Sequence, residues 1–313
     1  MIDLVLHSYG SRFAFLHDPS FDVFDFLERA SEGGYDAVAI NCNGPQLRHL
    51  GGDDRGHVRA VRAALAERGL GLDIETSGTA PGHLRRMLDL AVALSALNLR
   101  TYTRHDGERG AVIEATIADL RAAAPLAAER GVPILLENHE EFTGREIARV
   151  LEAVDSDWVA ALYDYGNSMM VHEDPLDCLD AMLPWIRKSH LKDHVVIERE
   201  GDQLIAGVPL GCGNLSLVET TRRLLAAGAG RIAFENVWSY TAAFRPRLDG
   251  RPSEPIGAGV FALSRPPWPE SVFLPDVAKA VSDDPARVVR LEAEAFTIAE
   301  QNLRAILRDL AQT

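Results

Sequence analysis

The feature that most constrains this chain is a rhythm in which short apolar, β-branched runs alternate with longer amphipathic stretches from end to end. That alternation is the pattern of βαβ units, whose strands must lie parallel in one sheet. Strands are expected at Ile2–His7, Ala37–Asn41, Gly71–Glu75, Leu99–Thr103, within GVPILLENH (131–139) and WVAALYDYGN (158–167), at Ile186–Lys192 and at Arg231–Asn236. Helices are expected over Phe21–Glu32, Asp54–Arg68, Gly82–Leu97, Ala111–Arg130, Gly144–Val154, Pro175–Leu183, Ser216–Ala227 and Ala286–Leu310. Eight such repeats close naturally into a (β/α)8, or TIM, barrel.

A length of 313 residues suits one such barrel, and no linker rich in Gly, Ser or Pro divides it, so residues 1–313 read as a single domain. Two stretches break the rhythm. Val195–Gly207 alternates like a β-hairpin turning at Gly201-Asp202. Residues 239–284 are an insertion after strand eight, rich in Pro, Gly and aromatics, and are expected to act as a lid or a partner contact. Around and within it stand Trp238, Tyr240, Phe244, Arg245, Arg247, Phe261, Trp268 and Phe273, the residue types that protein interfaces favour.

Hydrophobic residues make up 47% and charged ones 25%, as in a soluble globular protein. Cys42, Cys178 and Cys212 have no metal-type spacing and leave one unpaired, which fits a reducing compartment. The opening MIDLVLHSYGSRF lacks the basic and apolar regions of a signal peptide, and no run is long enough to span a membrane. A cytoplasmic location is therefore expected. The formal net charge of −14 opposes contact with phosphate backbones, so neither nucleic acid nor a membrane is an expected partner.

Four successive strands each end in a side chain able to ligate a metal: Glu137, Asp164, His190 and Glu235. In a parallel barrel the C-terminal strand ends open on one face, so the four can converge there. Three carboxylates and an imidazole suit one fairly hard divalent ion: Mn²⁺ first, with Mg²⁺, Co²⁺ or Zn²⁺ as alternatives. Each residue also has an ordinary reading. Glu137 and Glu235 fit helix caps or solvated loops, Asp164 a turn beside Gly166 and Asn167, and His190 a satisfied surface histidine. The coincidence of all four at equivalent strand ends favours the metal.

ILLENH, YDYGN, SHLKDH, GVPLGCGNLSL and IAFENVW resemble the successive signatures of the xylose-isomerase-like sugar phosphate isomerase/epimerase family. The resemblance covers about residues 1–238 plus the C-terminal helix. It implies the barrel, a divalent metal on Glu137, Asp164, His190 and Glu235, and a sugar or keto-sugar substrate. It does not imply one reaction, because members isomerise, epimerise, dehydrate and decarboxylate.

The simplest chemistry is polarisation of a keto-sugar carbonyl, with carboxylates abstracting and returning the adjacent proton through an enediolate. The resemblance to the family's ketose-epimerase branch implies that Glu137 and Glu235 are those carboxylates. His139 lies two residues past Glu137 and so projects to the same side, as a base or as a substrate contact. Lys192, two past His190, is placed to bind an oxyanion or to form a salt bridge. Asn167, Lys192 and Trp238 complete the expected substrate contacts. The ketose-epimerase branch has histidine where this chain has Asn167. With His139 and the aromatic insertion, that leaves open a lyase acting on a 3-keto-sugar, either a keto-sugar acid decarboxylase or a C-glycoside deglycosidase catalytic subunit with a small β-rich partner. A homo-oligomer is the other expected assembly. A non-catalytic barrel is disfavoured by the intact ligand set, and a DNA-repair-type nuclease by the −14 charge. His7, Tyr9, Glu75, Arg104 and His105 lie near strand ends as weaker pocket candidates, and Gly211 and Gly213 as a weak phosphate seat.

Overall fold

A computed structural model describes residues 2–246 and 256–311. In chain order, β1 (Asp3–His7), α1 (Arg12–His17) and α2 (Val23–Glu32) lead to β2 (Ala37–Asn41). Then α3 (Arg55–Arg68) precedes β3 (Gly71–Glu75), α4 (Pro81–Leu94) precedes β4 (Asn98–Thr101), and α5 (Arg109–Arg130) precedes β5 (Ile134–Glu137). Next come α6 (Gly144–Val154), β6 (Val159–Asp164), α7 (Pro175–Met182) and β7 (Ile186–Leu191). A hairpin of β8 (Asp193–Arg199) and β9 (Asp202–Val208) is followed by α8 (Leu217–Ala226), β10 (Arg231–Phe234), β11 (Thr241–Ala243), α9 (Val277–Asp283) and α10 (Pro285–Ala311).

The strands close a parallel barrel in the order β1-β10-β7-β6-β5-β4-β3-β2, so the expected (β/α)8 fold is the observed one. Local chemistry marks the helix ends. Asp22 and Asp25 form a reciprocal capping box on α2, and Gly69 and Gly131 end α3 and α5 with the positive φ that glycine adopts without strain. The short α1 and α9 were not expected: neither is long enough to show a helical period.

Strand alternation divides the residues between two environments. One set, including Leu6, Val38, Ile40, Leu72, Ile74, Leu136 and Phe234, packs outward against the helices as the main core. The other set fills the barrel. Its apolar members are mostly small, in two separate clusters: Val5, Ala37, Ala39 and Ala233, and Leu135, Ala160 and Leu162. Small side chains on one part of the wall leave room for long polar ones on the rest, and Asp73, Glu75, Asn98, Arg100, Lys188 and His190 are all buried. The barrel is therefore centred on charge, and its ions must neutralise one another.

The hairpin turns at Glu200-Gly201, one residue earlier than expected, because Arg199 pairs with Asp202 and both turn residues take positive φ. That is the geometry of a two-residue turn matched to strand twist. β11 extends the hairpin into a three-stranded antiparallel sheet. Part of the described 239–284 stretch lies over this sheet, where Phe261 packs with Met169, Met170, Val196 and Ile205, and Phe273 and Trp268 with Val195, Ile197 and Val208, while Leu274 and α9 pack against α10. Phe261 and Phe273 are buried by these contacts, and Trp268 is half-buried. Arg247 lies outside the described residues.

Candidate metal centre and active site

Glu137 and Asp164 are the last residues of β5 and β6, His190 is next to last in β7, and Glu235 directly follows β10. Register holds them level: Asp164 is paired with His190, and His190 with Ala233. Nδ1 of His190 lies 3.4 Å from Glu137 Oε1, 3.7 Å from Asp164 Oδ2 and 3.7 Å from Glu235 Oε2. Glu137, Asp164 and His190 offer ligand atoms within 4.8 Å of one another, whereas Glu235 meets that spacing with His190 and His7. The imidazole is thus the donor common to both groups, and Glu235 would have to swing toward the other two carboxylates to share one ion.

The imidazole is set for that role. Its Nε2 lies 2.9 Å from Glu75 Oε1, and an ionised carboxylate only accepts, so Nε2 carries the proton. Nδ1 has no hydrogen-bond partner among the described residues. Burial disfavours charge on this ring, but Glu75, Glu137 and Glu235 outweigh it and raise its pKa to about 9. A cation on Nδ1 would take that proton's place. The residues fit one divalent ion.

Glu75 also accepts from His7 Nε2 at 2.8 Å, Lys188 Nζ at 2.6 Å and Arg100 Nη2 at 2.9 Å. Arg100 bridges to Glu137 through Nε at 3.1 Å, and Lys188 continues to Asp73 at 3.0 Å. Lys192 Nζ stands 2.8 Å from Asp164 Oδ2 and 3.1 Å from Glu235 Oε2, so it is both the expected salt bridge and a cation beside two prospective ligands. The carboxylates Glu75, Glu137, Asp164 and Glu235 face Arg100, Lys188, Lys192 and a protonated His190, so the charges balance as they stand, and a cation bound on Nδ1 would displace the His190 proton. Burial would raise both glutamates; Arg100 and His190 overcome this and lower Glu137, while Lys192, His7 and His190 lower Glu235. For Asp164 burial prevails and shifts the carboxyl upward against the pull of Lys192.

Above these groups opens a cleft of about 320 Å³ lined by Glu137, His139, Asn167, Lys192, Glu235 and Tyr240, among others. Asn167 donates to Glu137 Oε1 at 3.2 Å and steadies it. His139 stacks flat on Tyr102, with centroids 3.7 Å apart, and its Nδ1 lies 3.1 Å from Glu141 Oε2. Tyr9 and Arg104 line the same cleft, whereas His105 turns away to Asp119.

Two expectations are corrected. Trp238 is not a substrate contact: it is fully buried, packs with Phe13, Leu274 and Val288, and donates its indole N–H to the Glu270 carbonyl. The glycine pair is not a phosphate seat either, because the amides of Gly211 and Gly213 both donate to Asp193 Oδ2, at 2.9 and 2.8 Å. Sequence reasoning assigned no role to Arg100, Lys188 or Glu140, and Arg245, expected only as part of the insertion, lines the cleft paired with Glu140 at 3.1 Å. A usable signal existed for two of them: Lys188 precedes His190 by two residues, and Arg100 sits in alternation with Tyr102, so both share the inward face of a strand.

Among known proteins, the chain is 24% identical over 177 residues to the uncharacterised protein YihM of Escherichia coli K12, covering 56% of this chain and 54% of that one. It is 26% identical over 175 residues to 3-oxo-isoapionate decarboxylase of Pectobacterium atrosepticum, covering 56% and 62%. The chain thus spans less than two thirds of the length of these relatives. Its fold matches D-psicose 3-epimerase of Clostridium cellulolyticum H10 with a TM-score of 0.63 at 14% identity, covering 99% of both chains. It also matches a magnesium-bound barrel protein of Mycobacterium smegmatis with a TM-score of 0.56 at 18% identity, covering 75% and 90%. The family profile described as xylose isomerase-like TIM barrel matches residues 27–249, most of the chain, and to that family this protein belongs.

Proposed function

We propose that this chain is a divalent-metal-dependent enzyme acting on a keto-sugar, with Glu137, Asp164, His190 and Glu235 as the ligands. The observation that carries the reading is the unpartnered Nδ1 of His190, ringed by three carboxylates at 3.4–3.7 Å. A divalent ion there supplies Lewis acidity to a substrate carbonyl. Glu137 and Glu235, kept ionised by their cationic neighbours, serve as proton acceptor and donor on the carbon next to that carbonyl. Asn167 fixes the Glu137 carboxylate, and Lys192 offers an ammonium to negative charge that develops on oxygen.

A second reading, a lyase on a 3-keto-sugar, is favoured by His139. Held flat against Tyr102 on the cleft wall, it provides a base besides the ligands, as removal of a proton at another carbon would require. The similarity to a decarboxylase points the same way.

Metal analysis of the purified chain should find about one ion per molecule, lost in Glu235→Gln. Absence of a bound ion would overturn the proposal. The Mn²⁺-loaded enzyme is then incubated in heavy water with ketoses and 3-keto-glycosides. Deuterium in recovered sugar identifies the isomerase or epimerase; a released fragment identifies the lyase.

A further inference from the structure

The cleft over the prospective ligands does not end at its own wall. Asn43, Arg48 and Arg104 line it and also line a second hollow of about 870 Å³, which continues beside α3 and α4. Arg55 and Arg86 face only this second hollow, so four guanidinium groups border it. None of the four has a carboxylate within ion-pair distance among the described residues. Of the two acids on the same wall, Asp89 is taken by Arg130 at 3.0 Å, which leaves Asp53. A chain with a net charge of −14 has thus gathered positive charge in the hollow that adjoins its reaction cleft.

Two of these side chains have contacts that orient them. Arg104 donates to the Tyr102 hydroxyl at 2.6 Å and lies over that ring with its central carbon 4.7 Å from the centroid. Arg48 lies against Gly44, where φ is +91° and an added Cβ would stand 3.1 Å from Nη2. Both arginines therefore stand at the junction of the two hollows, and planar guanidinium groups suit the paired oxygens of a phosphate or carboxylate.

We propose that the second hollow binds the anionic end of the substrate, a phosphate or a carboxylate, while its carbonyl end lies over Glu137 and Glu235. This rests on the keto-sugar reading above and narrows it to acidic keto-sugars. Arg48 and Arg104 bridge the two ends, and Arg55 and Arg86 set the preference for charge.

Calorimetric titration of the Mn²⁺-loaded chain with D-fructose, D-fructose 6-phosphate and 5-keto-D-gluconate tests it. At least one anionic probe should bind about tenfold or more tightly than fructose, and the better of the two identifies the anion. The preference should shrink about tenfold in Arg55→Gln/Arg86→Gln, whose bound-metal content reports that the fold is intact, and on raising salt from about 0.05 to about 0.3 M. Equal affinity for neutral and anionic probes, or a preference that survives the double substitution, overturns the proposal. A preference that behaves as expected, in an enzyme that neither exchanges nor cleaves any keto-sugar, would leave this site standing and overturn the keto-sugar reading.

Discussion

Changing Glu75 to alanine removes one carboxylate and disturbs four buried partners. Its oxygens serve Lys188 at 2.6 Å, His7 at 2.8 Å, Arg100 at 2.9 Å and His190 at 2.9 Å, and neither Glu75 nor Lys188 has any exposed side chain. Some compensation survives: Lys188 retains Asp73 at 3.0 Å, and Arg100 retains Glu137 at 3.1 Å and the Thr76 carbonyl at 3.0 Å. Removing one partner of a buried ion pair costs about 3–5 kcal/mol, since the other charge cannot return to water. With a urea m-value of roughly 3 kcal/mol/M, the unfolding midpoint of Glu75→Ala should fall by about 1–1.7 M. Glu75→Gln keeps the volume and part of the hydrogen bonding, so its stability cost should be smaller. Its metal affinity should nevertheless drop about 10–100-fold, because the amide no longer dictates that His190 protonates on Nε2. A midpoint shift below about 0.3 M in the alanine variant would refute the argument that these charges depend on one another.

Other outcomes follow from single contacts. His49 is buried, and desolvation, with His7 adding to it, lowers its pKa to about 3. The unfolded chain therefore takes up a proton below about pH 6.5 that the folded chain refuses, and stability is lost as pH falls through that value at about 1.4 kcal/mol per unit. His49→Asn should lack this loss, so the stability gap between wild type and variant must change between pH 7.5 and 5.5; a constant gap would contradict the assignment. Gly207→Ala places a Cβ 2.1 Å from the Val237 carbonyl oxygen, which is backbone, so urea unfolding should show a cost of at least about 1–3 kcal/mol from overpacking. His139→Ala should lower kcat about 10²-fold or more if the ring moves a proton, with bound metal unchanged; a rise in KM alone would reduce it to a wall of the cleft.

Much of the site is legible in the amino-acid sequence because a parallel barrel obeys simple local rules. Strand ends announce themselves where apolar runs turn polar, and all of them open on one face, so Glu137, Asp164, His190 and Glu235 were bound to be neighbours. Asn167, Lys192 and His139 follow from short steps along the same strands and loops. Trp238 fails that logic: only the packing of α1 and α10 against it shows that the residue three beyond Glu235 points away from the cleft. The Gly211 and Gly213 amides fail likewise, since no local signal shows that Asp193 reaches them first.

The amino-acid sequence by itself determined the eight strand–helix repeats, the sense of the barrel and the identity of the side chains at its mouth, all properties of alternation within a few residues. Tertiary structure alone decided which charges meet. Glu75 and Lys188 lie 113 residues apart in the chain, and their contact across the barrel depends on how closure staggers the strands. A period of two states that a side chain faces inward; only the closed barrel states what it faces.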